Sequence, residues 1–107
     1  MVCRSLAPAL AAGNTAVIKP AEQAPLTAPL LFAEVFDALD FPAGVYSVVT
    51  GFGAEAGKAL SEHPRIGSIT FTGSVETGRV IIRASAEHVK PVVVRVGRSC
   101  PRSESRE

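Results

Sequence analysis

Two kinds of apolar run alternate along the chain. Short runs rich in β-branched residues fall at Thr15–Ile18, Val45–Val49, Ile66–Phe71 and Val92–Val96, each bounded by Gly, Pro or Asn. Such runs predict short, largely buried strands. Between them lie longer stretches with helical spacing. Ser5–Ala12 is rich in Ala and Leu and stops at Gly13-Asn14, a pair that tolerates the left-handed conformation at a helix end. A second helix is expected over Ala28–Leu39, with Thr27 as its N-cap and Pro29 in its first turn. Its apolar stripe is Leu31, Val35 and Leu39, with Phe32 and Phe36 alongside. Gly51-Phe52-Gly53 leads into a short helix, Ala54–Glu62, and Val75–His88 is a third full helix with Gly78, Ile81, Ile82 and Ser85 on one face.

The predicted order is β-α-β-α-β-α-β. Strands that are apolar throughout mark a parallel sheet, so the expected class is α/β, with helices on both faces of the sheet. Right-handed crossovers place every strand-to-helix turn at one sheet edge, where ligands of open α/β sheets bind. Lys19–Gln23, Gly51–Gly53 and Thr72–Ser74 are expected there.

Composition narrows the function classes. The chain has 107 residues, 47% hydrophobic and 20% charged, which suits a single small globular domain rather than a disordered segment. A net charge of +1 with no basic stripe argues against nucleic acid, and no apolar run approaches membrane-spanning length. Arg4 and the Leu/Ala stretch after it faintly mimic a secretory signal, but the stretch is short and broken by Pro8. Cys3 and Cys100 do not make a disulfide framework and read as free thiols of a cytoplasmic protein. No His/Cys/Asp cluster has metal-ligand spacing.

Candidate chemistry centres on Phe71-Thr72-Gly73-Ser74, where a strand feeds a helix through a tight turn. The first N–H groups of a helix lack intrahelical partners, and the helix dipole adds positive potential, so such a turn suits a phosphate.

Five stretches, three of them holding these turn segments, carry a family resemblance. Pro8–Thr15, Ile18-Lys19-Pro20-Ala21-Glu22-Gln23-Ala24-Pro25-Leu26-Thr27, Phe41-Pro42-Ala43-Gly44-Val45, Val49-Thr50-Gly51-Phe52-Gly53 and Ile69–Arg79 stand in the order and spacing of the aldehyde dehydrogenase superfamily. Over residues 5–94 the chain resembles the middle of that family's cofactor-binding domain, which implies an incomplete, Rossmann-like fold. Family members oxidise aldehydes with NAD or NADP, using a cysteine nucleophile, a glutamate base and an oxyanion-binding asparagine. The resemblance implies that Lys19 and Glu22 hold the adenosine ribose, with Glu22 favouring NAD by repelling the 2′-phosphate of NADP. It puts Gly73, Ser74 and Gly78 at the pyrophosphate, and Gly53 and Gly57 near the adenine. NAD is the expected cofactor, and NADP the other candidate.

The resemblance also exposes departures. The family's Glu-Leu-Gly-Gly-Lys-Ser-Pro motif corresponds here to Arg95-Val96-Gly97-Arg98-Ser99-Cys100-Pro101, so an arginine stands where the general base belongs. Neither Cys3 nor Cys100 aligns with the nucleophile, so no catalytic residue is expected in this chain. The expected organisation is a partial NAD(P)-binding domain over 1–94 and a divergent, disordered tail over 95–107. The chain alone is expected to be inactive, with an aldehyde as substrate only in an intact enzyme, and to self-associate through uncovered apolar surface. The rival reading is a non-catalytic nucleotide-binding or subunit-association domain.

Overall fold

A computed structural model describes residues 2–23 and 27–97. The chain divides into two compact units, Met1–Leu60 and Ser61–Glu107. Of the tail expected to be disordered over 95–107, Arg95 and Val96 are instead paired strand residues, and residues 98–107 lie outside the described residues.

In the first unit, helix α1 (Val2–Ala11) packs against strand β1 (Ala16–Ile18), and helix α2 (Thr27–Ala38) against strand β2 (Tyr46–Val48). The two strands are parallel, with Ala16, Val17 and Ile18 opposite Tyr46, Ser47 and Val48. Gly13 has φ +81° and ends α1: its N–H bonds Leu10 O, and the Asn14 N–H reaches back to Ala9 O, both at 3.0 Å. This is a helix stop that glycine accommodates without strain. The described part of helix α2 starts at Thr27, directly after residues that lie outside the description. Pro29 sits in that first turn as expected, where a missing N–H costs nothing.

The apolar stripe of α2 is not the one its every-fourth spacing suggests. Leu31, Val35 and Leu39 are 59%, 45% and 62% exposed. Pro29 is buried and Phe32, Ala33 and Phe36 are half-buried, an i, i+3, i+4, i+7 set that selects the other side of the helix. Aromatic contacts fix that choice. Phe36 stacks on Tyr46 with centroids 4.9 Å apart and meets Phe41 edge to face, also at 4.9 Å. The Tyr46 hydroxyl donates to Pro29 O at 3.1 Å, tying β2 to the start of α2.

After β2, residues Gly53–Gly57 form a wide opening turn rather than the start of a regular helix. Phe52 O accepts from the N–H groups of Glu55, Ala56 and Gly57. Helix α3 proper spans Lys58–Glu62.

In the second unit, strand β3 (Ile69–Gly73), helix α4 (Val75–Ala86) and strand β4 (Val92–Val96) form a second parallel pair, with Ile69 opposite Val92 and Gly73 opposite Val96. The strand starts at Ile69, later than the apolar run at Ile66, because Ile66 N–H closes a turn onto His63 O. The ladder opens where Pro91 O accepts from Ile69 N–H. Lys90 Nζ donates to Ser61 O and His63 O, closing the end of α3. On α4, Gly78 and Ser85 are buried and Ile81 is half-buried, whereas Ile82, expected on that face, is 50% exposed.

The α/β class and parallel pairing agree with the sequence, realised as two two-stranded sheets. The core is thin: among the described residues only Leu6 is a buried hydrophobic, and no side chain is under 2% exposed.

Candidate functional site

The C-terminal ends of β1 and β2 lie side by side because the strands are parallel and in register. The loop after β1 carries Lys19 and Glu22, and the loop after β2 carries Gly51–Gly53. The structure joins them: Gly53 N–H donates to Glu22 Oε1 at 2.7 Å. The shortness fits a charge-assisted bond from a backbone N–H to a carboxylate. A carboxylate has about four lone-pair sites, so this bond leaves Glu22 acceptor capacity. Glu22 is exposed, and Lys19 is half-buried.

The two glycines present a smooth surface to these side chains. A Cβ on Gly53 would stand 3.5 Å from Glu22 Oε1, and one on Gly57 would stand 4.0 Å from Lys19 Cδ. Gly51, part of the turn expected at the ligand edge but given no role of its own there, is constrained twice over. Its φ is +149°, and a Cβ there would come within 2.9 Å of Ala56 Cβ. Only glycine suits that turn. The repeated glycine in Gly51-Phe52-Gly53 was its signal in the sequence. A shallow open pocket lies here, lined by Pro20, Ala21, Glu22, Gly51 and Phe52. Phe52 is 64% exposed, a flat apolar face beside a carboxylate.

Gly73, Ser74 and Gly78 belong to the second unit and form their own cluster. Ser74 is the N-cap of α4, with extended backbone (φ −75°, ψ 156°). Its Oγ accepts from Thr77 N–H at 3.2 Å and donates to Thr77 Oγ1 at 3.0 Å. Its carbonyl takes the Gly78 N–H. The hydroxyl is thus committed to capping, and the N–H groups of Val75 and Glu76 remain as first-turn donors. Gly78 is buried where α4 meets the ladder: a Cβ would fall 2.9 Å from Val94 Cγ1. A Cβ on Gly73 would fall 2.6 Å from Phe71 Cζ. Gly73 thus leaves room for the Phe71 ring within β3, and Gly78 sets the approach of α4 to its strands.

Other candidates stand apart from these clusters. Cys3 is exposed on α1 and free, and Cys100 lies outside the described residues. Among the described residues no group of three or more His, Cys, Asp or Glu could hold a metal ion, and no helix is long and apolar enough to cross a membrane.

Parallel βα units with glycine turns, a carboxylate and a capped helix start at their strand ends are those of a Rossmann-like α/β protein. Residues 1–100 match the model of the aldehyde dehydrogenase family, and the chain belongs to that family. A hydroxyisobutyraldehyde dehydrogenase from Mycolicibacterium austroafricanum is 54% identical over 101 residues, covering 94% of this chain and 20% of the relative. The crystal structure of an aldehyde dehydrogenase C variant from Pseudomonas syringae, in complex with NAD+ and octanal, superposes with a TM-score of 0.81 at 44% identity, over 86% of this chain and 19% of that one. An NADP-dependent enzyme from E. coli gives a TM-score of 0.85 at 42% identity, over 90% and 20%. The chain thus spans about a fifth of the length of the relatives it matches.

Proposed function

We propose that this chain is the adenosine- and pyrophosphate-binding part of an NAD-dependent aldehyde dehydrogenase. The carrying observation is the Gly53 N–H to Glu22 Oε1 bond, which sets a carboxylate at the shared end of β1 and β2. Held there, Glu22 would accept from the hydroxyls of the adenosine ribose, with Lys19 as a neighbouring donor and Gly53 and Gly57 leaving room for the adenine. The start of α4, with Gly73 and the Ser74 cap, would offer N–H groups to the pyrophosphate, and Gly78 would seat that helix on its strands. The bound dinucleotide would supply the hydride acceptor for aldehyde oxidation in the whole enzyme. The negative charge of Glu22 favours NAD over NADP, whose 2′-phosphate it would repel.

The 107-residue chain by itself is expected to bind nucleotide without oxidising aldehydes. Arg95 stands at the position where the family motif carries its base, and a guanidinium cannot accept a proton. Residues 1–94 are proposed as the cofactor-binding part and 95–107 as a divergent tail, and a cytoplasmic location is proposed with them.

Calorimetric titration of the chain with NAD, ADP-ribose and NADP tests the reading, alongside an aldehyde-oxidation assay. NAD and ADP-ribose should bind alike, with Kd on the order of 0.1–1 mM, or roughly 4–5.5 kcal/mol. NADP should bind more weakly, and no turnover should be seen. Binding of none of the three by folded protein would overturn the nucleotide assignment.

A further inference from the structure

Strand β4 carries a single charged residue, Arg95, between Val94 and Val96. It pairs in register with Thr72 of β3. The face of this ladder that meets α4 is identified by Gly78, whose added Cβ would touch Val94 and Phe71. Side chains alternate across a strand, so Arg95 and Thr72 share the opposite face, near the C-terminal ends of both strands. Arg95 is half-buried, and its Nη1 is shielded from water with no hydrogen-bond partner among the described residues. Thr72 beside it is exposed.

A buried donor without an acceptor loses its hydration and gains nothing in return, and the loss is larger for a charged group. A lysine could relieve this by giving up its proton, but a guanidinium stays charged. Relief therefore requires an acceptor. The planar fork of arginine matches two oxygens of a carboxylate or a phosphate, and the C-terminal edge of a parallel ladder is where such sheets take ligands. These groups are distinct from the first-turn N–H groups of α4.

We propose that Arg95, with Thr72 beside it, is an oxyanion-binding site: one carboxylate or phosphate group docks against the guanidinium at the C-terminal edge of the β3–β4 ladder, on the face away from α4. The site does not depend on the ribose reading at Glu22. Its anion comes either from the phosphates of a bound dinucleotide or from a separate anionic molecule.

The test is side-chain NMR on the full 15N-labelled chain, following the Arg95 Nε–H resonance, with Arg79 and Arg83 as exposed internal references. Inorganic phosphate and acetate, titrated separately at constant ionic strength, should each move Arg95 saturably and leave the references nearly still, while adenosine should not move it. Arg95→Met should weaken phosphate binding by about tenfold or more, and Arg95→Lys should keep part of it. Movement with NAD would assign the anion to the dinucleotide phosphates, and movement with phosphate and acetate alone to a separate anion. An Arg95 resonance unmoved by either anion, or one that shifts no more than Arg79 and Arg83, would overturn the proposal. Because the readout is on the wild-type chain, it stands even if Arg95→Met does not fold.

Discussion

Gly53 donates its backbone N–H to Glu22 across 31 positions of sequence, at 2.7 Å. The bond links the loop after β1 to the turn after β2 and places a carboxylate at the first turn before α3. A residue that reads in isolation as a solvated loop glutamate is thereby given a fixed address. Glu22→Gln keeps an acceptor for Gly53 but removes the charge, so NAD should still bind, several-fold more weakly, with its advantage over NADP narrowed. Glu22→Ala removes both and should weaken NAD and ADP-ribose alike, by about tenfold or more. Isothermal titration of the two variants with NAD, NADP and ADP-ribose checks both statements.

Gly78→Ala should destabilise the chain despite the better helix propensity of alanine. The propensity gain is about 1 kcal/mol, whereas forcing a methyl into a packed contact costs about 1–3 kcal/mol. The methyl would meet Val94 Cγ1 at 2.9 Å, and a β-branched side chain has little freedom to move aside. Combining Gly78→Ala with Val94→Ala should cost less than the sum of the single changes. Urea unfolding of the three variants reads the coupling, and strict additivity would mean the two residues do not clash.

Three helices end in the same way, and only one of the three was legible in the sequence. Gly13, Asp40 and Val89 all have positive φ, of 81°, 52° and 51°. At each, the next N–H reaches back to a carbonyl five residues earlier: Asn14 to Ala9, Phe41 to Phe36 and Lys90 to Ser85. Glycine announces such a stop, but aspartate and valine do not. At Val89 the β-branched side chain is 87% exposed and gains little packing in return for the strained backbone. Val89→Gly should therefore raise stability by about 1 kcal/mol, the left-handed cost for a side-chain-bearing residue less the extra chain entropy of glycine. A fall in the urea midpoint would contradict this.

The rest of the fold divides along similar lines. Parallel pairing, the Ser74 cap and the close seat of Gly78 follow from local patterns: apolar β-branched runs, a serine before an amphipathic stretch, and a glycine on the apolar face. The buried side of α2 does not, because both of its sides are apolar and the choice falls to the contacts of Phe36 with Tyr46 and Phe41. The wide turn at Gly53–Gly57 was likewise hidden, since helical periodicity does not distinguish an i+5 from an i+4 bond. At the candidate site, the residue types were legible and the Glu22–Gly53 bond was not, being a contact between distant loops.

Alkaline pH should loosen the first unit. Burial raises the pKa of the Tyr46 phenol above its ordinary 10.0. The folded chain then holds this proton more tightly than the unfolded one, so the contribution is fully present below about pH 10 and is lost as pH rises through that value toward the folded pKa. The phenolate also cannot donate to Pro29 O. Tyr46→Phe should cost about 0.5–1.5 kcal/mol at neutral pH and flatten the alkaline fall. Unfolding curves of both proteins between neutral pH and about pH 11 measure it.

Exposed Leu30, Leu31 and Val35 on α2 and Leu39 just after it, with Leu6 the one buried hydrophobic among the described residues, leave little core to hold a monomer. The isolated chain should associate with rising concentration, and its monomer should unfold with less than about 5 kcal/mol. Sedimentation equilibrium across a hundredfold dilution, combined with urea unfolding, decides the point. A stable monomer throughout would show the fragment to be self-sufficient.

The proposed nucleotide site lies where Glu22 meets Gly53. The Gly53 amide resonance reports on that junction directly, because its N–H is the donor in the bond. On titration with ADP-ribose, the amides of Gly53 and Gly57 should shift saturably and together, and in Glu22→Ala the same additions should leave them nearly unmoved. If ADP-ribose shifts neither amide in the folded wild-type chain, or shifts them equally well without Glu22, the nucleotide site lies elsewhere.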